Sequence, residues 1–336
     1  MRALLLACLL LLVVLGCGRE RPSDEPLAAD TTAEGDDPLG AFEEEALSGR
    51  LSADGSSTVA PLMSLAAERF RKQEPKVRVT VGTSGTGGGF ERFCRGETDI
   101  SNASRPIKDE EKALCEQNAV GQFPMQVAND GISVVVNKEN TWASCLTVDQ
   151  LRAIWEPGSK LQTWKDVDPK FPDQKLELFG AGTDSGTFDY FTDAIVGEEG
   201  ASRSDYTPSE DDNITVRGVT GSKGGLGYFG LSYLLENADR LKAVAVDGGE
   251  GCVEPSVESV QNGSYAPLSR PLFVYINEDS IAEKPALEPF LTFVLDRQAR
   301  LTRDAKFVPM TATQVDHART ALESGGVGVE EGEGEE

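Results

Sequence analysis

A single histidine in 336 residues, His317, leaves this chain without the imidazoles on which most serine hydrolases and zinc enzymes depend. No base stands beside its serines, and no His/Asp cluster suggests a two-metal site. Basic residues are also scarce: 32 Lys and Arg face 56 Asp and Glu, a formal net charge of -24. That balance argues against nucleic acid, whose phosphates need a cationic footprint, and against a basic patch gripping anionic lipid. The chain has no GxxxxGK[ST] pattern. It has no GxGxxG run in strand–helix context followed by a ribose-binding acid, so no nucleotide cofactor is implied.

What is present begins at the amino terminus. In Met1–Gly16, Arg2 precedes an almost unbroken apolar run to Leu15, the pattern of a signal sequence and too short for a permanent span. Val14–Cys17 resembles the lipobox of bacterial lipoproteins, which implies export, cleavage and lipidation of Cys17. Residues 17–48 read as a lipidated cysteine and disordered acidic linker, and 325–336 as a disordered acidic tail. Export into an oxidising compartment leaves Cys94, Cys115, Cys145 and Cys252 free to pair in three ways. Cys94–Cys115 is favoured as a local bridge and Cys145–Cys252 as one closing a long loop. No Cys-x-x-Cys spacing supports a metal site.

Hydroxyl and glycine clusters organise the rest. Gly55–Thr58 and Gly82–Gly89 each precede a helical pattern, and GAGTDSGTFDYF repeats the arrangement at Gly180–Phe191. Such junctions gather free backbone N–H groups and hydroxyls at the positive end of a helix dipole, a setting for a compact anion. Helices are expected after Thr58, with Ser57 or Thr58 as cap, within FERFCRG, and after a cap at Asp184 or Ser185. The last should bury Phe188, Phe191, Thr192 and Ile195. ALEPFLTFVLD should bury Leu287, Phe290, Leu291 and Val294. Strands are expected at KVRVTV, Ile100, ISVVVN and PLFVYIN; LELFG delivers the chain into the third cluster, and LKAVAVDG ends the second region. ITVRGVTGSKGGLGYFGLSYLLEN suggests a strand, a glycine-rich turn and a helix.

Ser56, Ser57 and Thr58 can donate hydroxyls at the first junction, and Thr83, Ser84, Gly85 and Thr86 at the second. Ser185, Gly186 and Thr187 do so at the third, where Asp184 could cap the helix or accept an anion's proton. Arg105 is the cation placed among these clusters, unless it pairs on the surface with Asp109 or Glu110. Lys108 and Lys223 have weaker claims. Asp54 either orients the network or begins a turn.

The order DGSSTVAP, GTSGTGGGF, DISNASRPIK, GAGTDSGTFDYFTDAI and GLGYFG closely resembles the phosphate-binding lipoproteins of bacterial ABC-type phosphate importers. The resemblance implies an α/β, two-lobed periplasmic-binding-protein fold (type II), with crossing strands and a ligand cleft between the lobes. It implies a discontinuous first lobe, 49–140 plus 249–324, and a second lobe, 141–248. Phosphate would be held by Ser57, Thr58, backbone at Val59, Thr83, Ser84, Arg105, Ser185, Gly186 and Thr187, with Asp54, Ser56, Gly85, Thr86 and Asp184 as a surrounding network. Where one branch of the family carries a proton-accepting carboxylate after Ala-Ser, this chain has Arg105; where that branch has an arginine before SGT, it reads GAGTD. The cation is therefore expected on the first lobe, and rejection of sulfate falls to Asp54 or Asp184. The implied partners are a membrane permease and its ATPase, with no cofactor, no nucleic acid, a lipid anchor and a monomeric state. The rivals are an oxyanion sensor or scavenger, and a phosphate-ester hydrolase using Ser185.

Overall fold

The computed structural model describes residues 46–326. The signal sequence, Cys17, and the acidic end segments other than 46–48 and 325–326 lie outside the described residues. The chain opens with β1 (Gly49–Gly55), α1 (Ala60–Gln73), β2 (Val77–Val81), α2 (Gly85–Phe93), β3 (Ile100–Ala103), α3 (Asp109–Gln117) and β4 (Gln122–Asn137). It continues through β5 (Cys145–Thr147), α4 (Val148–Trp155), α5 (Trp164–Val167), β6 (Glu177–Ala181), α6 (Gly186–Phe191), a π-helical turn at Thr192–Val196, and β7 (Thr207–Ser209). Then come α7 (Asp212–Gly221), β8 (Gly225–Gly230), α8 (Leu231–Glu236), β9 (Leu241–Asp247) and β10 (Cys252–Val253). Last are α9 (Val257–Gln261), β11 (Ser269–Asn277), α10 (Glu278–Glu283), α11 (Leu287–Asp304) and α12 (Ala312–Ser324).

Hydrogen-bonded strands run in the order β2-β1-β3-β11-β4-β8-β6-β7, with β9 pairing β4, β5 and β10. β1 is parallel to β2 and β3, as strand–helix–strand crossovers require, whereas β11 returns antiparallel between β3 and β4. The 16 residues of β4 serve both halves: Gln122–Gly131 pair with β11, and Ile132–Val136 with β8. Two apolar cores follow from this division. One joins α1, α11 and α12 to β1, β4 and β11 around Met63, Phe70, Val274, Phe290 and Leu291. The other gathers Val134, Trp155, Phe191, Tyr228, Val244, Tyr265 and Leu268. Phe191 and Tyr228 stack there with ring centroids 3.7 Å apart. Leu268 belongs to the second core and Leu272 to the first, so β11 enters the first half between them.

Alternating or helical apolar spacing accounts for most elements. On α11, Leu287, Phe290, Leu291 and Val294 are fully buried, each removal from water contributing roughly 1.5–3 kcal/mol. Phe188, Phe191, Thr192 and Ile195 are likewise buried along α6 and the turn after it. The expected strand at Ile214 is instead helix α7. Its β-branched residues suit either state, but Asp211 caps it by accepting from Asn213 N–H, and Thr215, Val216 and Val219 form one buried face. The expected glycine-rich turn lies at Lys223–Gly224 and the expected helix is α8; between them GLGYFG forms β8, a buried central strand whose backbone is paired on both sides by β4 and β6. Both favoured disulfides are present. Cys94–Cys115 ties α2 to α3, and Cys145–Cys252 ties β5 to β10. Among the described residues no helix is long and apolar enough to cross a membrane, and no cluster of three potential metal ligands occurs. His317 lies exposed on α12.

Candidate anion-binding cleft

The carboxyl ends of β1, β2 and β3 release the chain into three neighbouring turns, the position where α/β sheets take their ligands. The turn after β6 faces them from the second core. Between them lies a cleft of 680 Å³. Hydroxyls of Ser56, Ser57, Thr58, Ser84, Thr86 and Ser104 line one side with Arg105, Lys108 and Arg270; Gly186, Asp189, Tyr190, Asp193 and Glu199 line the other.

The first junction does not use a hydroxyl as its helix cap. Val59 occupies the cap position of α1, and Ser56 Oγ accepts from Val59 N–H at 3.4 Å. Ser57 and Thr58 turn across the cleft instead. Ser57 Oγ donates to Asp189 Oδ2 at 3.5 Å, and Thr58 Oγ1 donates to the Gly186 carbonyl at 3.4 Å. Gly186 permits this approach, since a Cβ there would stand 2.4 Å from Thr58 Oγ1 and 3.0 Å from its nitrogen. At the second junction α2 begins inside the glycine cluster, earlier than FERFCRG alone suggested. Gly89 explains why: α2 packs so close to β1 that a Cβ would fall 2.4 Å from Gly55 Cα. Thr86 and Ser104 hydroxyls then meet at 3.0 Å, joining the second and third turns.

Asp54 is buried behind the cleft and absent from its lining. It accepts from Gly55 N–H at 2.8 Å and Ser84 N–H at 3.1 Å and pairs with Arg92. Burial alone would raise its pKa; the two N–H donors, the Ser84 hydroxyl and Arg92 together hold it below the ordinary value. Its place is thus to anchor the start of α2. Asp184, Thr83, Val59, Ser185 and Thr187 also stand outside the cleft lining. Ser185 caps α6, accepting from Thr187 N–H at 3.2 Å, and Asp184 N–H donates to Glu210. Lys223 is exposed elsewhere.

Arg105 does line the cleft, but its partner is Glu111 rather than Asp109 or Glu110. Two parallel bonds of 2.8 and 2.7 Å occupy one edge of its guanidinium, and a third N–H contact reaches the Pro106 carbonyl at 3.0 Å. The deeper cation is Arg270, which sequence reasoning missed. It sits on β11, with Nε and Nη2 donating to Asp130 Oδ2 at 3.3 and 3.2 Å, and Nη2 also to Thr58 Oγ1 at 3.0 Å. Asp130 lies on β4, so the pair joins the two long strands shared between the halves. Burial raises the Asp130 pKa, and Arg270 works against that rise. The available signal was one charged residue interrupting each of two apolar strands. Asp189, also passed over within DSGTFDYF, is the half-buried carboxylate of the opposite wall. Its pKa is raised by burial and then by the charge of Glu199, against the Ser57 hydroxyl.

Two α/β halves sharing strands around a polar cleft, with donors from both sides, define a two-lobed solute-binding protein. The PBP superfamily domain matches residues 40–298. "Protein SphX" of Synechococcus elongatus is 47% identical over 264 residues, covering 78% of this chain and 78% of its own. "Phosphate-binding protein PstS" of Staphylococcus saprophyticus is 38% identical over 276 residues, 82% of this chain and 85% of its own. The crystal structure of "a possible phosphate binding protein" from Planctomyces limnophilus superimposes with a TM-score of 0.79 at 42% identity, covering 83% of this chain and 99% of that one. This chain belongs to the PBP superfamily and, within it, to the family of periplasmic phosphate-binding proteins.

Proposed function

We propose that the protein binds inorganic phosphate in this cleft outside the cytoplasmic membrane and delivers it to the permease and ATPase of an ABC-type importer. The observation that carries the reading is the meeting of hydroxyls, helix starts and Arg270 from both halves at one cleft. Thr58, Ser84, Thr86 and Gly186 N–H are the donors, Arg270 the main cation and Arg105 a second one at the rim. Ser185 and Thr187 shape the turn that presents Gly186. A lipid on Cys17 would tether a monomer to the membrane, with the acidic linker as spacer. The protein is not an enzyme in this reading: Ser185 caps a helix and has no imidazole base.

Asp189 takes the role expected of Asp54 or Asp184. Facing the donors from the second lobe, it accepts the proton of a protonated phosphate and repels fully ionised sulfate. Calorimetric titration of anion-stripped protein with phosphate, repeated in excess sulfate, tests both parts. One-to-one binding that survives sulfate is the expected result. No heat from folded protein would defeat the phosphate reading, and full displacement by sulfate would defeat the role of Asp189.

A further inference from the structure

We propose that Tyr190 is the positioning residue that ties Arg270 to lobe closure, an inference that rests on the phosphate reading of the cleft. The guanidinium of Arg270 is held in two different ways. Its edges are bonded to Asp130 on β4, to Thr58, and to the Ser104 carbonyl at 3.4 Å, all groups of the first half or the shared strands. Its face is covered by a ring of the second half: Arg270 Cζ lies 3.6 Å from the centroid of Tyr190. The Tyr190 hydroxyl donates to the Pro267 carbonyl at 2.7 Å, which fixes the ring against the chain entering β11.

Stacking of this kind exists only while the second half stands close to the first. Separation of the lobes strips the ring from one face of the guanidinium and returns that face to water, while the bonds to Asp130, Thr58 and Ser104 stay with the first half and the shared strands. An anion bound to Arg270 meets a guanidinium covered by the ring in the closed state and a more hydrated one in the open state. Its affinity therefore differs between the two, which is the condition for a ligand to shift a conformational equilibrium. By the same linkage, the ring and the anion each favour the other. Tyr190 is itself buried in the second core beside Phe188 and Phe191, which also hold α6 there, and Tyr190→Leu keeps an apolar side chain at that place. A cation–π contact also separates ring from hydroxyl as the effective group, since the attraction comes from the ring face.

The test uses Tyr190→Leu and Tyr190→Phe in the full mature chain, with one fluorophore on each lobe, titrated with inorganic phosphate. Affinity and the interlobe distance are read together, and melting of the unliganded proteins checks their folding. Tyr190→Leu is expected to bind about tenfold more weakly and to remain partly open at saturating phosphate. Tyr190→Phe is expected to match the wild type in both, because it keeps the ring. A Tyr190→Leu variant that binds and closes like the wild type overturns the inference alone. A Tyr190→Phe variant as impaired as Tyr190→Leu also overturns it, assigning the effect to the Pro267 hydrogen bond. Wild-type protein that does not bind phosphate overturns the reading of the cleft, and this inference with it.

Discussion

The two walls of the cleft carry opposite charge. Arg105, Lys108 and Arg270 come from the first lobe and the shared strand β11, while Asp189, Asp193 and Glu199 come from the second lobe. Their carboxylates also differ in how they are satisfied. Asp54, behind the first wall, is surrounded by donors that hold its pKa down. Asp189 on the second wall has the Ser57 hydroxyl at 3.5 Å and is pushed up by burial and by Glu199. A cationic wall alone would bind any compact anion. In the proposed function, the acidic wall facing it selects among anions by the proton they carry, which would divide charge and selectivity between the lobes.

Removing the central cation should break this comparison most severely. Arg270→Ala is expected to weaken phosphate binding about a hundredfold or more in calorimetry, since it deletes the cation and strands buried Asp130. Gly186→Ala comes next: its Cβ would collide with Thr58, holding the walls apart. A loss of about tenfold, together with a larger interlobe distance at saturation, is expected. Arg105→Ala should cost less than Arg270→Ala, about three- to tenfold, because Glu111 already occupies one edge of its fork. Equal losses for the two arginines would erase the distinction between deep and rim cations.

Asp189→Asn sharpens the comparison at small cost to phosphate affinity. Sulfate should become an effective competitor in the same titration. The variant should also change stability against pH in the unliganded protein. A carboxylate with a raised folded pKa binds its proton more tightly in the folded state. It therefore contributes stability below the unfolded value of about 4, and that contribution is lost as pH rises through the folded pKa. Melting scans should show a shallower decline over that window for Asp189→Asn; an unchanged profile would separate Asp189 from the acidic wall. Asp54 has the opposite sign, its contribution being lost as pH falls through its lowered pKa.

Much of the fold was legible because local patterns and long-range packing agree. Apolar spacing marked α11 and β4, and the cysteine positions were compatible with both bridges. Ile214–Val219 misled because β-branched residues tolerate a helix when an Asp211 cap and a buried face are supplied. The cleft was legible where its donors come in clusters, as at Ser56–Thr58 and Ser84–Thr86. It was not legible where a donor stands alone. Arg270 and Asp130 are 140 residues apart and become a pair only once β11 and β4 align. Asp54 was read as orienting the network or beginning a turn, and its burial and the Gly55 and Ser84 N–H donors around it could be seen only in three dimensions.

The central claim is where the anion sits. A crystal structure of the protein with phosphate bound is the most direct measurement of it. The account predicts one phosphate within hydrogen-bond reach of Arg270, Thr58 and the Gly186 N–H, with a proton-bearing oxygen facing Asp189. A phosphate held at the rim by Arg105 and Lys108, out of reach of Arg270, would contradict it.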